Sequence, residues 1–362
     1  MNQKRNKICI TCSFSACCVV VLSAVLHTRS ISSPGQLKLQ RTELELFKRR
    51  EYKETSEFDY FRTLTKSCGK LCQLEEGTFS SSMFFDHRVV PVDCQTIFGD
   101  DVFIQQAHGR AEAPDIVPAE LVEAYTMNQR VPMSSIYSNE VYLSKQAQTS
   151  VWSKQLVEES IANAASGKLK GNYGTTETNH LRQALRHAPG LVGGRVLVIG
   201  SENPWVEACV LEAGASSVVT LEYGKIRSEH PKIKTLIPLE FQRDFFNGQL
   251  GLFDSIVTFS SVEHSGLGRY GDALNPWGDV LEIARANCVC KPEGSLVLAV
   301  MCGNVVCTQD SLEFNLHRKY GSTRWPYLAS NWHQIYREQN GKQRCHVFQK
   351  NTTVESLIKN NE

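Results

Sequence analysis

Residues 195–222 constrain the fold more than any other stretch of the chain. Arg195-Val-Leu-Val-Ile-Gly200 is a short apolar, β-branched run ending in glycine. Asn203-Pro204 follow, then a helical pattern over Trp205–Ala213, then Gly214. A second apolar run, Ser217–Leu221, ends at Glu222. Strand, turn, helix, strand, acid is the opening half of a doubly wound nucleotide-binding sheet, with an acid about twenty residues past the glycine turn to bind a ribose diol. Ligands of open parallel sheets sit at the carboxyl ends of the strands, so the pocket is placed before any chemistry is known. Asn203 is predicted as the helix N-cap, Pro204 in the first turn and Gly214 at C′.

The alternation continues. A third strand is predicted near Lys234–Ile237 and a fourth over Phe253–Phe259, followed by the loop Ser260–Gly271. A helix follows over Trp277–Val289, then the turn Lys291-Pro-Glu-Gly294 and a fifth strand, Ser295–Met301. Trp332–Glu338 and Lys342–Gln349 flank Gln339-Asn340-Gly341, and Asn-Gly between two strand-like runs is a hairpin signal. The fold class is therefore α/β: a doubly wound, mostly parallel sheet that ends in an antiparallel β-hairpin. Upstream, helices are predicted over Trp152–Ala165 and Thr178–His187 around the loop Gly167–Gly174.

The N-terminus is of another kind. Lys4, Arg5 and Lys7 precede Ile8–Leu26, nineteen residues without a charge. At about 1.5 Å per residue this run approaches the ~30 Å hydrocarbon thickness of a bilayer. It exceeds the core of a cleaved signal peptide, and no A-x-A cleavage site follows it. The reading is a retained single-span anchor, with a cleaved signal and a buried soluble helix as competitors. Basic residues on its amino side place the N-terminus in the cytoplasm and the bulk of the chain in the endoplasmic reticulum or Golgi lumen or outside the cell. In that setting Asn351-Thr-Thr353 is a usable glycosylation sequon. The organisation becomes 1–29 tail and anchor, 30–66 charged stalk, 67–165 an accessory α+β region, and 166–352 the sheet domain. Within the accessory region Met83–Val92 and Asp101–Gln106 are predicted as strands and Pro118–Met127 as a helix. With 39 basic and 38 acidic residues and a net charge of +1, nothing global points to nucleic acid.

Four of the thirteen cysteines (Cys9, Cys12, Cys17 and Cys18) fall in the apolar run. Nine remain, an odd number, so any disulfide scheme leaves a free thiol. Cys209, Cys288 and Cys290 fall in or near predicted helices, where buried free cysteine is the common state. Cys68, Cys72 and Cys94 have three readings: disulfide-linked, free, or a zinc site with His87 as the fourth ligand.

The five α/β units and terminal hairpin resemble the class I S-adenosylmethionine-dependent methyltransferase superfamily over about residues 170–350. Val196–Gly200 is similar to its first motif, Thr220-Leu-Glu222 to the acidic end of strand two, and Phe253–His264 to strand four with its following Glu-His. Lys291-Pro-Glu-Gly-Ser-Leu resembles the turn into strand five. Asn315-x-His317-Arg-x-Tyr320-Gly and Arg324-x-Pro326 resemble an uncharacterised branch of that superfamily. The resemblance implies S-adenosylmethionine as cofactor, with Gly200, Ser201, Glu202, Glu222, Tyr223, Asp244, Phe245 and Ser260 around it. Glu263 and His264 become the catalytic candidates, since histidine has a pKa suited to deprotonating a hydroxyl acceptor. His317 and Arg318 are candidates on the acceptor side, where arginine with Tyr320 and Trp325 would bind a sugar-like or acidic small molecule.

One departure discriminates among ligands. Only Gly200 remains in a first loop that carries two or three glycines in the superfamily, and Glu202 sits beside the helix N-terminus. A pyrophosphate is repelled by that acid, whereas a cationic sulfonium is not. Three functions compete: a membrane-anchored methyltransferase, a non-catalytic binding or scaffold protein of the same fold, and a lumenal sugar-modifying transferase. The last would usually show Asp-x-Asp, which the chain lacks.

Overall fold

Two facing sets of apolar side chains alternate along each central strand, and that alternation builds the sheet into the middle of the molecule. The computed structural model describes residues 68–74, 88–99, 114–136 and 149–351. The expected anchor over 8–26, the stalk, the strand at Asp101–Gln106 and His87 lie outside the described residues. Among the described residues no helix is long and apolar enough to cross a membrane.

The elements in chain order are α1 (Cys94–Phe98), α2 (Ala119–Tyr125), β1 (Met133–Ser135), β2 (Ser150–Trp152), α3 (Lys154–Ala165), α4 (Thr175–Leu185), β3 (Arg195–Ile199) and α5 (Trp205–Glu212). They continue with β4 (Ser217–Leu221), β5 (Ile226–Ser228), β6 (Ile233–Leu236), α6 (Pro238–Phe246), β7 (Phe253–Phe259), α7 (Gly278–Val289) and β8 (Cys290–Met301). Last come β9 (Ser311–Phe314), β10 (His317–Lys319), α8 (Trp325–Leu328), β11 (Trp332–Arg337) and β12 (Gln343–Lys350).

The main sheet has seven strands in the order β11-β12-β8-β7-β3-β4-β6. β6, β4, β3, β7 and β8 run parallel. β12 pairs antiparallel with β8, and β11 with β12. Val196, Val198, Val218, Val257 and Val297 face α3, α4 and α5 on one side. Leu197, Ile199, Val219, Ile256 and Leu296 face α6, α7 and α8 on the other. The sheet is therefore doubly wound, as expected from the sequence. α7 is buried on two sides: Ile283, Ala286 and Val289 pack on the sheet, while Val280, Leu281 and Ala284 pack under the accessory residues Leu121, Tyr125 and Ile97. α3 packs Val157 and Ala164 into the sheet's own core, so the sheet layer extends upstream of residue 166.

Several local expectations are corrected. Asn203 does not cap α5 with its side chain: Pro204 holds the cap position, and the Trp205 amide donates to the Asn203 carbonyl at 2.8 Å. The turn at 291–294 is not a break before strand five. β8 begins at Cys290 and absorbs the turn as a register irregularity, with Glu293 at φ 60°. Residues 88–92 form no strand. Asn331 donates its side-chain amide to the Val90 carbonyl and accepts from the Val90 amide, both at 2.7 Å, and so replaces a neighbouring strand.

The cysteines sort by tertiary contact. Cys68–Cys72, Cys94–Cys288 and Cys302–Cys307 are disulfides, and Cys209, Cys290 and Cys345 are buried free thiols. Cys288, expected free, tethers α7 to α1. That bridge spans a sequence separation of 194 residues, and a loop of that length is expected to contribute up to ~5 kcal/mol by constraining the unfolded chain. Replacing Cys94 and Cys288 together by alanine should therefore lower stability by about 2–5 kcal/mol. Denaturant unfolding under non-reducing conditions would show it as a lower midpoint; an unchanged midpoint would mean that the bridge does not constrain the unfolded chain.

Candidate functional site

A cleft opens where β3, β4 and β7 end side by side. Its wall takes Ile199, Gly200, Ser201 and Glu202 from the end of β3, and Leu221, Glu222 and Tyr223 from the end of β4. Phe259, Ser260, Ser261, His264 and Ser265 come from β7 and its loop, and Tyr270, Asp272 and Glu282 close the far side. Asn172 and Tyr173 reach in from the loop before α4, beside Trp205. Space for the centres of water molecules amounts to about 110 Å³. The narrowness has a cause: Trp205 meets Phe259 edge-on at 4.9 Å between ring centres, and Tyr173 lies 5.4 Å from Phe259.

Each wall segment is held from behind. Gly200 takes φ 71°, and a Cβ there would fall on the Ser261 hydroxyl, so the turn needs glycine for packing between two strand ends. The Trp152 indole donates to the Glu202 carbonyl at 3.2 Å. Glu222 is half-buried. Its Oε2 accepts from the Ser201 amide at 2.9 Å, and its Oε1 accepts from the amides of Tyr223 at 2.8 Å and Gly224 at 3.4 Å. Enclosure raises its pKa, and the three amides work against that rise. The carboxylate thus stands at the cleft with lone-pair capacity beyond the three amides.

Below the loop lies a second acid that the sequence did not single out. Glu207, in the first turn of α5, is fully buried and pushed up to about 7 by burial. Its oxygens meet the Ser201 hydroxyl at 2.9 Å and the Thr220 hydroxyl at 2.7 Å. Ser201 therefore joins the two acids, its amide on Glu222 and its hydroxyl against Glu207.

Glu263 and His264 part company. His264 lines the cleft, and its Nδ1 meets the Leu316 carbonyl at 2.6 Å, which fixes the proton on that nitrogen. Burial drives its pKa down to about 3, so it stays neutral and holds no further proton near neutral pH. Glu263 is fully buried behind the wall, and burial pushes it up to about 7. It reaches the cleft through Ser260, whose hydroxyl donates to Glu263 Oε1 at 2.7 Å.

Four expected site residues lie elsewhere. Asp244 pairs with Lys234 at 3.3 Å and Arg243 at 3.1 Å, and Phe245 stacks on Phe98 at 3.9 Å. Neither lines the cleft: Phe245 is turned toward α1 and Asp244 toward β6. His317 lies 3.0 Å from Glu313 and 6.2 Å, ring to ring, from His264, behind the cleft wall rather than on it. Arg318 is 2% exposed, and its guanidinium donates to the carbonyls of Glu263, Ser265, Asn275 and Pro276. It is a brace for the loop that carries the far wall.

That brace belongs to a buried knot. Asp279 on α7 accepts from Arg324 Nε at 2.8 Å and Nη2 at 2.5 Å and from the Tyr320 hydroxyl at 2.9 Å, with Arg318 Nε 3.7 Å away. Burial works to raise the Asp279 pKa, but Arg318 and Arg324 overcome it and hold it at about 2. Asp272 is held differently: it accepts from the amides of Gly266 at 2.6 Å and Tyr270 at 3.3 Å.

The acids Glu202, Glu222, Asp272 and Glu282 line the cleft, and among the described residues no lysine or arginine does. Sequence reading found the strand-end residues because each closes an apolar run. It missed Tyr173, Tyr270, Asp272, Glu282 and Glu207, which reach the site from helices and loops. Only Tyr270, Asp272 and Glu282 had a sequence signal, the acid-bearing stretch after His264.

Residues 193–361 match the family described as Caenorhabditis protein of unknown function, DUF268. No curated protein matches the chain. Among solved structures, the N-methyltransferase NodS from Bradyrhizobium japonicum, crystallised with S-adenosyl-L-homocysteine, aligns at 13% identity and a TM-score of 0.32, covering 54% of this chain and 97% of that one. An O-methyltransferase family protein from Burkholderia thailandensis aligns at 11% identity and a TM-score of 0.33, covering 52% of this chain and 58% of that one. A Streptococcus mutans protein aligns at 8% identity and a TM-score of 0.31, and the chain spans 47% of its length. At these scores the likeness fixes nothing about activity, and the functional reading stands on the cleft.

Removing the Asp279 charge tests the knot. Asp279→Asn leaves two buried guanidinium groups uncompensated and should cost about 3–5 kcal/mol at pH 7. The folded pKa lies below the unfolded one, so Asp279 stabilises the fold above the unfolded value of about 3.9 and loses that contribution as pH falls toward 2. Chemical denaturation at pH 7 and pH 3 should show a smaller difference between variant and parent at pH 3; equal differences would contradict the linkage.

Proposed function

We propose that the chain is an S-adenosylmethionine-dependent methyltransferase. One observation carries the reading: a strand-end cleft lined by four acids, one of them (Glu282) paired with Arg285 behind it, and, among the described residues, by no lysine or arginine. Such a site opposes a diphosphate or a nucleotide sugar and suits a ligand with positive charge. The residues fit the group at two points. Glu222 has capacity left to accept from a ribose diol, and Gly200 and Ser201 bring backbone to the same spot. Glu202 and Asp272 add negative charge for the cationic end. The cofactor, when bound, would supply a methyl group already activated by a sulfonium. The protein's own work is then to align the acceptor, exclude water and receive a proton. The acids favour a neutral acceptor, such as a sugar-like hydroxyl, over the acidic one expected beside Arg318.

The second reading is a non-catalytic protein that keeps the fold for binding, and the narrowness of the cleft favours it. A lumenal sugar transferase is opposed by the acids. We also propose that residues 8–26 anchor the chain and that its body faces an oxidising compartment. Three disulfides support this placement, since such bonds persist there.

Titration calorimetry with S-adenosylmethionine and S-adenosylhomocysteine tests the reading. Micromolar binding is expected, weakened at least ~10-fold in Glu222→Ala, which corresponds to a loss of about 1.4 kcal/mol or more. NAD should not bind. A folded protein that binds neither adenosyl ligand would move the assignment to the non-catalytic reading, and binding of a nucleotide sugar would move it to the sugar transferase.

A further inference from the structure

Ser260, just past the end of β7, takes a backbone conformation that serine seldom adopts, with φ 49°. Such strain persists where the surroundings over-determine it, and it concentrates at sites that act on ligands. Three hydrogen bonds hold this position, and the Tyr173 hydroxyl faces the Ser260 side chain from the cleft as well. The Ser260 amide donates to the Ala299 carbonyl at 2.9 Å, the hydroxyl donates to Glu263 Oε1 at 2.7 Å, and Gln343 Nε2 donates to the hydroxyl oxygen at 2.8 Å. Gln343 is the first residue of β12, and its own backbone is fixed because the amides of Lys342 and Gln343 donate to Glu177 at 2.7 and 3.3 Å.

The arrangement leaves two buried atoms without a hydrogen-bond partner, Glu263 Oε2 and Gln343 Oε1, on either side of the one Ser260 hydroxyl. An ionised Glu263 is thus incompletely solvated. A protonated Glu263 would reverse the hydrogen bond. Its O–H would then donate to Ser260 Oγ, and the serine proton would be free to turn toward the cleft. With Glu263 ionised, Ser260 instead donates inward and shows the cleft a lone pair. The polarity of the wall at Ser260 is therefore set by the proton on Glu263.

We propose that Ser260 and Glu263 form a proton relay that removes the proton of a neutral hydroxyl bound in the cleft, with Gln343 positioning the serine. The step balances. The acceptor proton passes to Ser260 Oγ as the serine proton passes to Glu263 Oε1, the O–H bonding pair stays on the acceptor oxygen, and the carboxylate becomes a neutral acid. The inference rests on the methyltransferase reading for what the bared oxygen then attacks. His264 sits beside the relay, but held neutral on the Leu316 carbonyl it orients a hydroxyl and does not store its proton. Charged and titratable groups face Glu263 from several elements. Arg269 on the loop favours ionisation and Asp279 on α7 opposes it, while Arg318 on β10 reaches the Glu263 backbone carbonyl. The Tyr320 and Tyr173 hydroxyls both feel its charge. Burial outweighs the favourable groups, so the carboxyl titrates at about 7, where a base for a hydroxyl is effective.

The test uses the full chain in a Glu207→Gln background, because Glu207 titrates in the same range. Infrared difference spectroscopy across pH 5–9 should show a protonated carboxyl that disappears with a midpoint near 7 and is absent in Glu263→Gln. Ser260→Ala should move the midpoint upward, because the lost hydrogen bond favoured the ionised form, and Ser260→Thr should restore it. A carboxyl that titrates in the ordinary range, or a midpoint indifferent to Ser260→Ala, overturns the relay. A second arm, in the chain with Glu207 intact, offers S-adenosylmethionine with glycerol or phenol as hydroxyl probes. Glu263→Gln should lower kcat at least ~100-fold and flatten its rise with pH, while calorimetric affinity for the cofactor stays unchanged. Turnover retained in Glu263→Gln overturns the catalytic role. Absent cofactor binding with the titration intact would sink the methyltransferase reading and leave the relay standing.

Discussion

The buried charge of Asp279 is the constraint on which the rest of the site depends. It sits on α7 between the sheet and the accessory layer, where an unpaired charge would cost several kcal/mol. Two guanidinium groups and a tyrosine hydroxyl compensate it. Those guanidinium groups then spend their remaining donors on carbonyls of the 263–276 loop. One ion cluster thereby fixes the position of α7, the β9–β10 hairpin that supplies Arg318, and the far wall of the cleft. The Tyr125 hydroxyl, which donates to the Gly266 carbonyl at 2.5 Å, ties the accessory layer into the same loop.

The acids around the cleft fall into three kinds, and the difference is one of partners. Asp279 meets guanidinium groups and is held ionised. Glu222 and Asp272 meet backbone amides, which offset the cost of burial without cancelling it. Glu207 and Glu263 meet mainly serine and threonine hydroxyls, too few to hold a charge, and both are pushed up to about 7. The same side chain is a fixed anion in one place and a proton acceptor in another, because each finds a different number of donors.

The central strands were legible because a strand buried on both faces must be apolar throughout, and such runs end where the chain turns. Arg195–Ile199, Ser217–Leu221 and Phe253–Phe259 have the boundaries the sequence indicated. The hairpin was legible from Asn340-Gly341, where Gly341 takes φ 94°. The residues at strand ends followed: Gly200, Ser201, Glu202, Glu222, Tyr223, Ser260 and His264 all stand on one wall. Asp244, Phe245, His317 and Arg318 did not follow, since each was placed by local pattern and its side chain was aimed by a partner distant in sequence.

The sequence by itself determined a doubly wound sheet, its terminal hairpin and the edge at which a ligand would lie, because periodicity and turn chemistry act over a few residues. Tertiary structure alone decided which cysteines pair, since Cys94 and Cys288 meet only when α7 docks. It alone decided that His264 is neutral while its neighbour Glu263 titrates near neutrality. Burial and hydrogen-bond partners set a pKa, and both are properties of packing between segments far apart in the chain.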